Sequence, residues 1–176
     1  MKNITAFTLL ELLLTISIIG LLLSIAIPSY QNIINCTHAD ATLLQLYKAV
    51  QLARSEAIKR RCFVTLCPTK DYIHCINDRN WNIGYMIFID PNENGIPFNK
   101  NQIIKQFMPI TKEAKLLWKG FRSDNILQMT PLGFTNYQNG TFTYCPKSLD
   151  THFKNTLVIT QSGRVRFAYD NKNNLC

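Results

Sequence analysis

Residues 7–27, FTLLELLLTISIIGLLLSIAI, are apolar almost throughout and constrain the 176-residue chain more than any other stretch. At ~1.5 Å of helical rise per residue they cover roughly 31 Å, the thickness of a bilayer's hydrocarbon. The length predicts one membrane-spanning helix beginning almost at the N-terminus. Lys2 and the small residues around Ser24-Ile25-Ala26 also satisfy the outline of a secretory signal peptide. Two features oppose that reading. The apolar run exceeds the usual length of about 7–15 residues, and it carries an acid, Glu11. A carboxylate at that depth needs a partner, and no Lys or Arg lies nearby on the same helix face. A cut just before Phe7 would supply one, as a new N-terminal ammonium.

The residues Ala6-Phe7-Thr8-Leu9-Leu10-Glu11 resemble the prepilin peptidase site of type IV pilins and type II secretion pseudopilins. The resemblance implies that a leader, residues 1–6, is removed between Ala6 and Phe7 and that the new terminal Phe7 is methylated. Glu11, then the fifth residue, would face the amine of a neighbouring subunit during assembly. The family usually has glycine where this chain has Ala6, a departure that bears on the rate of processing. Pro28 falls where many pilins have a kinking proline. The implied partners are the prepilin peptidase, other pilin subunits and, before assembly, the inner membrane. The implied location is a single-pass inner-membrane protein with a periplasmic head, reaching a pilus or the cell surface once assembled.

Beyond Pro28, residues 40–61 place Leu43, Leu46, Tyr47, Val50, Ala53 and Ala57 on one helical face. Glu56 and Arg60 are i,i+4 partners in the favoured order. The run Ala53-Arg54-Ser55-Glu56-Ala57-Ile58-Lys59-Arg60 is similar to the helix end of the GspH/FimT group of minor pilins and pseudopilins. Clustered Lys and Arg at the negative pole of a helix dipole explain the same residues without any function. From Cys62 the pattern changes to short β-rich runs: 62–66, 83–90, 103–108, 116–118, 126–129, 141–144, 156–160 and 165–169. The expected fold is α+β and type IV pilin-like, a long N-terminal helix packed on a C-terminal antiparallel β-sheet domain. Its divisions are a transmembrane helix over 7–28, an amphipathic helical half over 29–61, and a sheet head over 62–176.

Six cysteines in a protein whose bulk lies outside the cytoplasm can be oxidised. Cys67 and Cys75 enclose a short loop, and Cys145 with Cys176 would tie the tail to the sheet. Cys36 and Cys62 stand about 39 Å apart by helical rise and cannot bond, which leaves two free thiols. A zinc site at Cys67, His74 and Cys75 lacks a fourth ligand at the usual spacing. Asp90-Pro91-Asn92-Glu93-Asn94-Gly95 imitates the opening of a calcium loop. Its twelfth position, however, is Asn101 rather than a bidentate Glu, and the run reads as a turn after a strand. The three histidines are scattered without triad partners. No cofactor and no enzymatic activity are expected.

The chain has 19 basic against 11 acidic residues, a net charge of +8, which suits a polyanion, anionic lipid or an acidic partner without naming one. One short motif narrows the choice. Gly163-Arg164-Val165-Arg166 sits at a predicted hairpin turn entering the last strand. Residues two apart on a strand share a face, so Arg164 and Arg166 would project together about 7 Å apart while Val165 faces the core. Paired guanidinium groups engage successive phosphates bidentately. Gly163 would permit the turn and let a phosphate approach the backbone. Lys147, Lys154 and Lys172 lie in the same C-terminal part and would extend the patch. Arginines on an outer strand also serve simply to block edge aggregation. The motif resembles the C-terminal GRxR associated with DNA uptake in FimT-like minor pilins of naturally transformable bacteria. That resemblance implies binding of DNA without sequence specificity, through contacts to the phosphates of a double strand. The alternative is a GspH-like structural role in type II secretion or pilus biogenesis.

Overall fold

The computed structural model of the chain describes residues 8–111, 113–123, 125–146 and 155–169, the side chains of Asn32 and Tyr169 excepted. It resolves into two compact units that divide between Thr37 and His38. One helix, α1 (Leu9–Arg60), contributes to both.

In the first unit α1 opens with a reciprocal cap. The Glu11 carboxylate accepts from the Thr8 backbone N–H (3.0 Å) and the Thr8 hydroxyl (3.2 Å), and the Glu11 N–H donates to Thr8 Oγ1 (3.3 Å). This is the T-x-x-E capping box, a local partner for Glu11 besides the expected amine. Ala6 and Phe7 lie outside the described residues. The hydroxyls of Thr15, Ser17 and Ser24 bond back to the carbonyls of Leu12, Leu13 and Leu21 at 2.7–2.8 Å. No polar group of those side chains is left needing water, as a lipid environment demands. The helix is long and apolar enough to cross a membrane, and none of its most apolar window is buried.

In the second unit the stripe Ala39, Leu43, Leu46, Val50, Ala53 and Ala57 is fully buried. The expected helical face is therefore the one that packs, and its alanines let the sheets approach closely. Among the described residues eight strands follow: β1 (Val64–Pro68), β2 (Tyr85–Ile89), β3 (Ile103–Phe107), β4 (Lys115–Gly120), β5 (Leu127–Met129), β6 (Gly140–Cys145), β7 (Asn155–Ile159) and β8 (Val165–Tyr169). They form two four-stranded antiparallel sheets, ordered β3-β2-β1-β5 and β4-β6-β7-β8. Their inner faces meet α1 in a core holding Trp81, Trp118, Phe142, Leu116 and Leu157. The strand expected over 83–90 is shorter. Trp81–Ile83 form a 3₁₀ turn, and Gly84 at φ +124° redirects the chain before β2 begins.

The outer face of the first sheet carries a smaller cluster, Cys67, Met86 and Phe88, joined by Cys75. Cys67 and Cys75 are disulfide-bonded with Cα atoms 5.6 Å apart, so their sulfurs are not available as zinc thiolates. Cys145 is also in a disulfide; its expected partner, Cys176, lies outside the described residues. Cys36 and Cys62 are free thiols. Inside the bridged loop, Asp71 Oδ1 accepts from the N–H groups of Ile73 (2.9 Å) and His74 (2.8 Å), and Oδ2 meets His74 Nδ1 at 2.7 Å. The His74 side chain first, then those N–H groups and the Thr69 hydroxyl, hold the Asp71 carboxyl well below the usual carboxylate range.

A depressed acid contributes stability that is complete above its unfolded pKa of about 3.9 and fades as the pH falls below it. Asp71→Asn is accordingly expected to lower Tm at neutral pH, with the deficit narrowing steadily below about pH 3.9. Thermal melts of both proteins across that range test this, and a deficit that does not change with pH would contradict it.

Asp90, the residue after β2, is buried at 1 % exposure. It accepts from Thr65 Oγ1 (2.8 Å), Gln128 Nε2 (3.0 Å) and the N–H groups of Asn94 (3.2 Å) and Gly95 (2.8 Å). The calcium-like run is thus a turn whose acid is taken up by internal donors from β1 and β5.

Candidate nucleic-acid interface

The hairpin joining β7 to β8 is closed by Thr160. Its N–H (3.0 Å) and hydroxyl (3.2 Å) both donate to the Arg164 carbonyl, while the Gly163 N–H returns to the Thr160 carbonyl (2.9 Å). Gly163 takes φ +73°, the left-handed residue that completes a three-residue hairpin loop. The link between β5 and the following loop repeats this geometry. The Thr130 N–H donates to the Phe134 carbonyl (2.8 Å), the Gly133 N–H to the Thr130 carbonyl (2.8 Å), and Gly133 has φ +78°.

The two turns dock glycine to glycine. A Cβ on Gly163 would lie 2.3 Å from the Gly133 carbonyl oxygen and 3.5 Å from Nε of Arg54. Arg54 Nη1 reaches the Gly163 carbonyl at 3.4 Å, so the helical run that resembles GspH proteins braces the GRVR turn directly. This corrects one expectation. Gly163 does make the turn, but it is buried against Gly133 and Arg54, and no phosphate can reach its backbone from that side.

Arg164 and Arg166 are both exposed, with Val165 half-buried against the core between them. Phe167 points the same way as Val165 and stacks on Tyr47 of α1 with ring centroids 5.6 Å apart. Among the described residues neither arginine has an acidic partner. The register of the second sheet adds a cation that the sequence reading missed. Arg166 pairs with Val158, Val158 with Thr141, and Thr141 with Lys119. Directly opposed residues share a face, so exposed Lys119 lies on the arginine face about 14 Å away, three strand spacings. Lys147, Lys154 and Lys172 lie outside the described residues.

The same end of this sheet carries Arg122, whose guanidinium sits over the Tyr137 ring at 5.4 Å. Beside it runs a groove of about 670 Å³ lined by Phe63, Leu132, Phe134 and Tyr137 and by Gln161 and Ser162 of the GRVR turn. Arg60 and Glu56 of α1 form the expected pair at 2.6 Å, and the Arg60 guanidinium holds the Glu56 carboxyl below its usual range. Arg60 is thereby engaged by an acid, whereas Arg164 and Arg166 have no acidic partner among the described residues.

Two family models match the chain. One, described as type II transport protein GspH, covers residues 43–163, and the other, a prokaryotic N-terminal methylation motif, covers residues 1–27. Among solved structures, the type IV minor pilin FimU of Pseudomonas aeruginosa is similar in two crystal forms. One superposes with a TM-score of 0.59 at 20 % identity over 77 % of this chain and 92 % of that one. The other gives 0.54 at 22 % identity over 76 % and 94 %. The minor pseudopilin EpsH of the Vibrio cholerae type 2 secretion system gives 0.53 at 11 % identity over 78 % and 99 %. No curated protein sequence matches.

Proposed function

This chain belongs to the family of type II transport protein GspH, and from that premise we propose that it is a minor pilin that binds extracellular DNA for uptake. A minor pilin or pseudopilin role follows from the family, and the N-terminal methylation motif with its apolar helix fits an inner-membrane anchor carrying a head domain. In the proposed reading, prepilin peptidase cleaves between Ala6 and Phe7 and Glu11 guides packing against other subunits. The head then acts outside the cytoplasm.

The observation that carries the DNA reading is the exposed pair Arg164, at the end of the turn, and Arg166, on β8, whose other face packs on α1. Rigid placement matters because a guanidinium held in position loses less freedom on binding than one on a mobile tail. Two planar forks on one face suit successive phosphates, and Lys119 extends the cationic row across the sheet. Such contacts neutralise charge without reading bases. Each subunit would bind weakly, and several subunits along a filament would raise the avidity.

Replacing Arg164 and Arg166 together by Gln is expected to flatten the log-affinity against log-salt slope by roughly 1.8, at ~0.9 per lost phosphate contact. Lys119→Gln should remove roughly 0.9 more. The measurement is a titration of the full chain in detergent with unrelated duplexes at several salt concentrations. Unchanged slope and affinity in the double variant would leave the arginines structural. The GspH description and the likeness to EpsH would then favour a role confined to assembly in pilus biogenesis or type II secretion.

A further inference from the structure

We infer that the apolar groove beside the GRVR turn receives unpaired nucleobases, so that the head binds single-stranded DNA in preference to duplex. The inference rests on the reading of Arg164 and Arg166 as phosphate contacts and adds to it a second kind of contact. Leu132, Tyr137 and Phe134 stand 76 %, 62 % and 48 % exposed around the groove, an unusual concentration of large apolar surface on a basic head. Aromatic rings exposed next to cations are the elements of single-strand recognition, in which bases stack on the rings while the charges follow the backbone.

The two kinds of contact share one piece of chain. Gln161 and Ser162 line the groove, and Arg164 follows two residues after Ser162, no more than ~7 Å of chain away. The walls are also tied together. The Thr135 N–H and hydroxyl both donate to the Gln161 carbonyl (3.0 and 3.1 Å), and the Tyr137 N–H donates to the Thr135 carbonyl (2.8 Å). A strand lying on Arg164 would therefore present its neighbouring base to a preformed cleft. At the other side Arg122, over the Tyr137 ring, offers the next phosphate a cation. An apolar segment of another pilin would fill the cleft but leave this cationic rim unmatched. Duplex DNA would meet the rim and leave the cleft empty, because its base faces are already stacked.

The test measures binding of the full chain in detergent to a short oligothymidylate and to a duplex of equal length, for the unaltered protein and two variants. The expected result is that Phe134→Ala combined with Tyr137→Leu weakens oligothymidylate binding roughly tenfold, within the range of base–aromatic stacking, and leaves duplex binding unchanged. Tyr137→Phe, which keeps the ring, should bind as the unaltered protein does. Unchanged oligothymidylate binding in the double variant would overturn the inference, as would an equal loss on both probes or a loss confined to co-assembly with other pilins. Failure of the underlying reading looks different. There, Arg164→Gln with Arg166→Gln leaves duplex binding intact whatever the groove variants do.

Discussion

Replacing Asp90 with alanine is expected to lower the stability of the β-sheet unit by about 4 kcal/mol, the loss of a buried acceptor shared by four donors. Thr65 Oγ1 and the Gly95 N–H are buried with it, and each loses its partner at a cost of about 1–3 kcal/mol. Gln128 Nε2 keeps a second, longer bond to the Glu93 carbonyl at 3.3 Å, so its share is smaller. The acid joins β1, β2 and β5, and its removal loosens three strands of one sheet rather than a single turn. Asp90→Asn retains an acceptor oxygen and should cost about half as much. Urea unfolding read by tryptophan fluorescence would measure both variants, because Trp81 and Trp118 are both buried in this unit. A midpoint shift of about 2 M is expected for alanine at a typical m-value. A shift below a few tenths of a molar would mean that the turn is held by something other than its carboxylate.

What could be read from the sequence divides along the range of the contacts involved. The apolar span, the stripe from Leu43 to Ala57 and the Glu56–Arg60 pair depend on spacings within one helix, and the structure places them as periodicity requires. Most strand runs emerged within a residue or two for the same reason. The sorting of strands into two sheets did not emerge, because β5 pairs with β1 across more than sixty residues and nothing local specifies that choice. Lys119 was missed on the same ground: its kinship with Arg166 exists only through the register of four strands. The Thr8–Glu11 cap depends on a spacing of three residues, T-x-x-E, and is legible in the same local way. Gly163 was read correctly as a turn and wrongly as an open one. Its neighbour Gly133 lies thirty residues away, and close packing between two backbones leaves no trace in composition.

That packing supports the second large effect: Gly163→Ala should cost about 3 kcal/mol and abolish most DNA binding although both arginines remain. A non-glycine residue in the left-handed region costs about 1–3 kcal/mol by itself. At Gly163 the new Cβ would also fall 2.3 Å from the Gly133 carbonyl oxygen, a backbone atom that can retreat only if the two turns separate. Gly95 provides the control. It has a similar φ of +71°, but its Cβ would meet Ile126 Cδ1 at 2.9 Å, the free end of a flexible side chain. Gly95→Ala should therefore carry the conformational cost of about 1 kcal/mol alone and leave affinity unchanged. Separation of the turns in the Gly163 variant breaks the Arg54 brace on the Gly163 carbonyl and frees Arg164 to swing. The salt slope should then fall toward that of the double arginine variant, at temperatures where fluorescence still reports a folded core. If Gly163→Ala kept its stability and its DNA affinity, the docked turns would not be what aims the arginines, and the GRVR hairpin would have to be positioned by β8 and its stacking on Tyr47 alone.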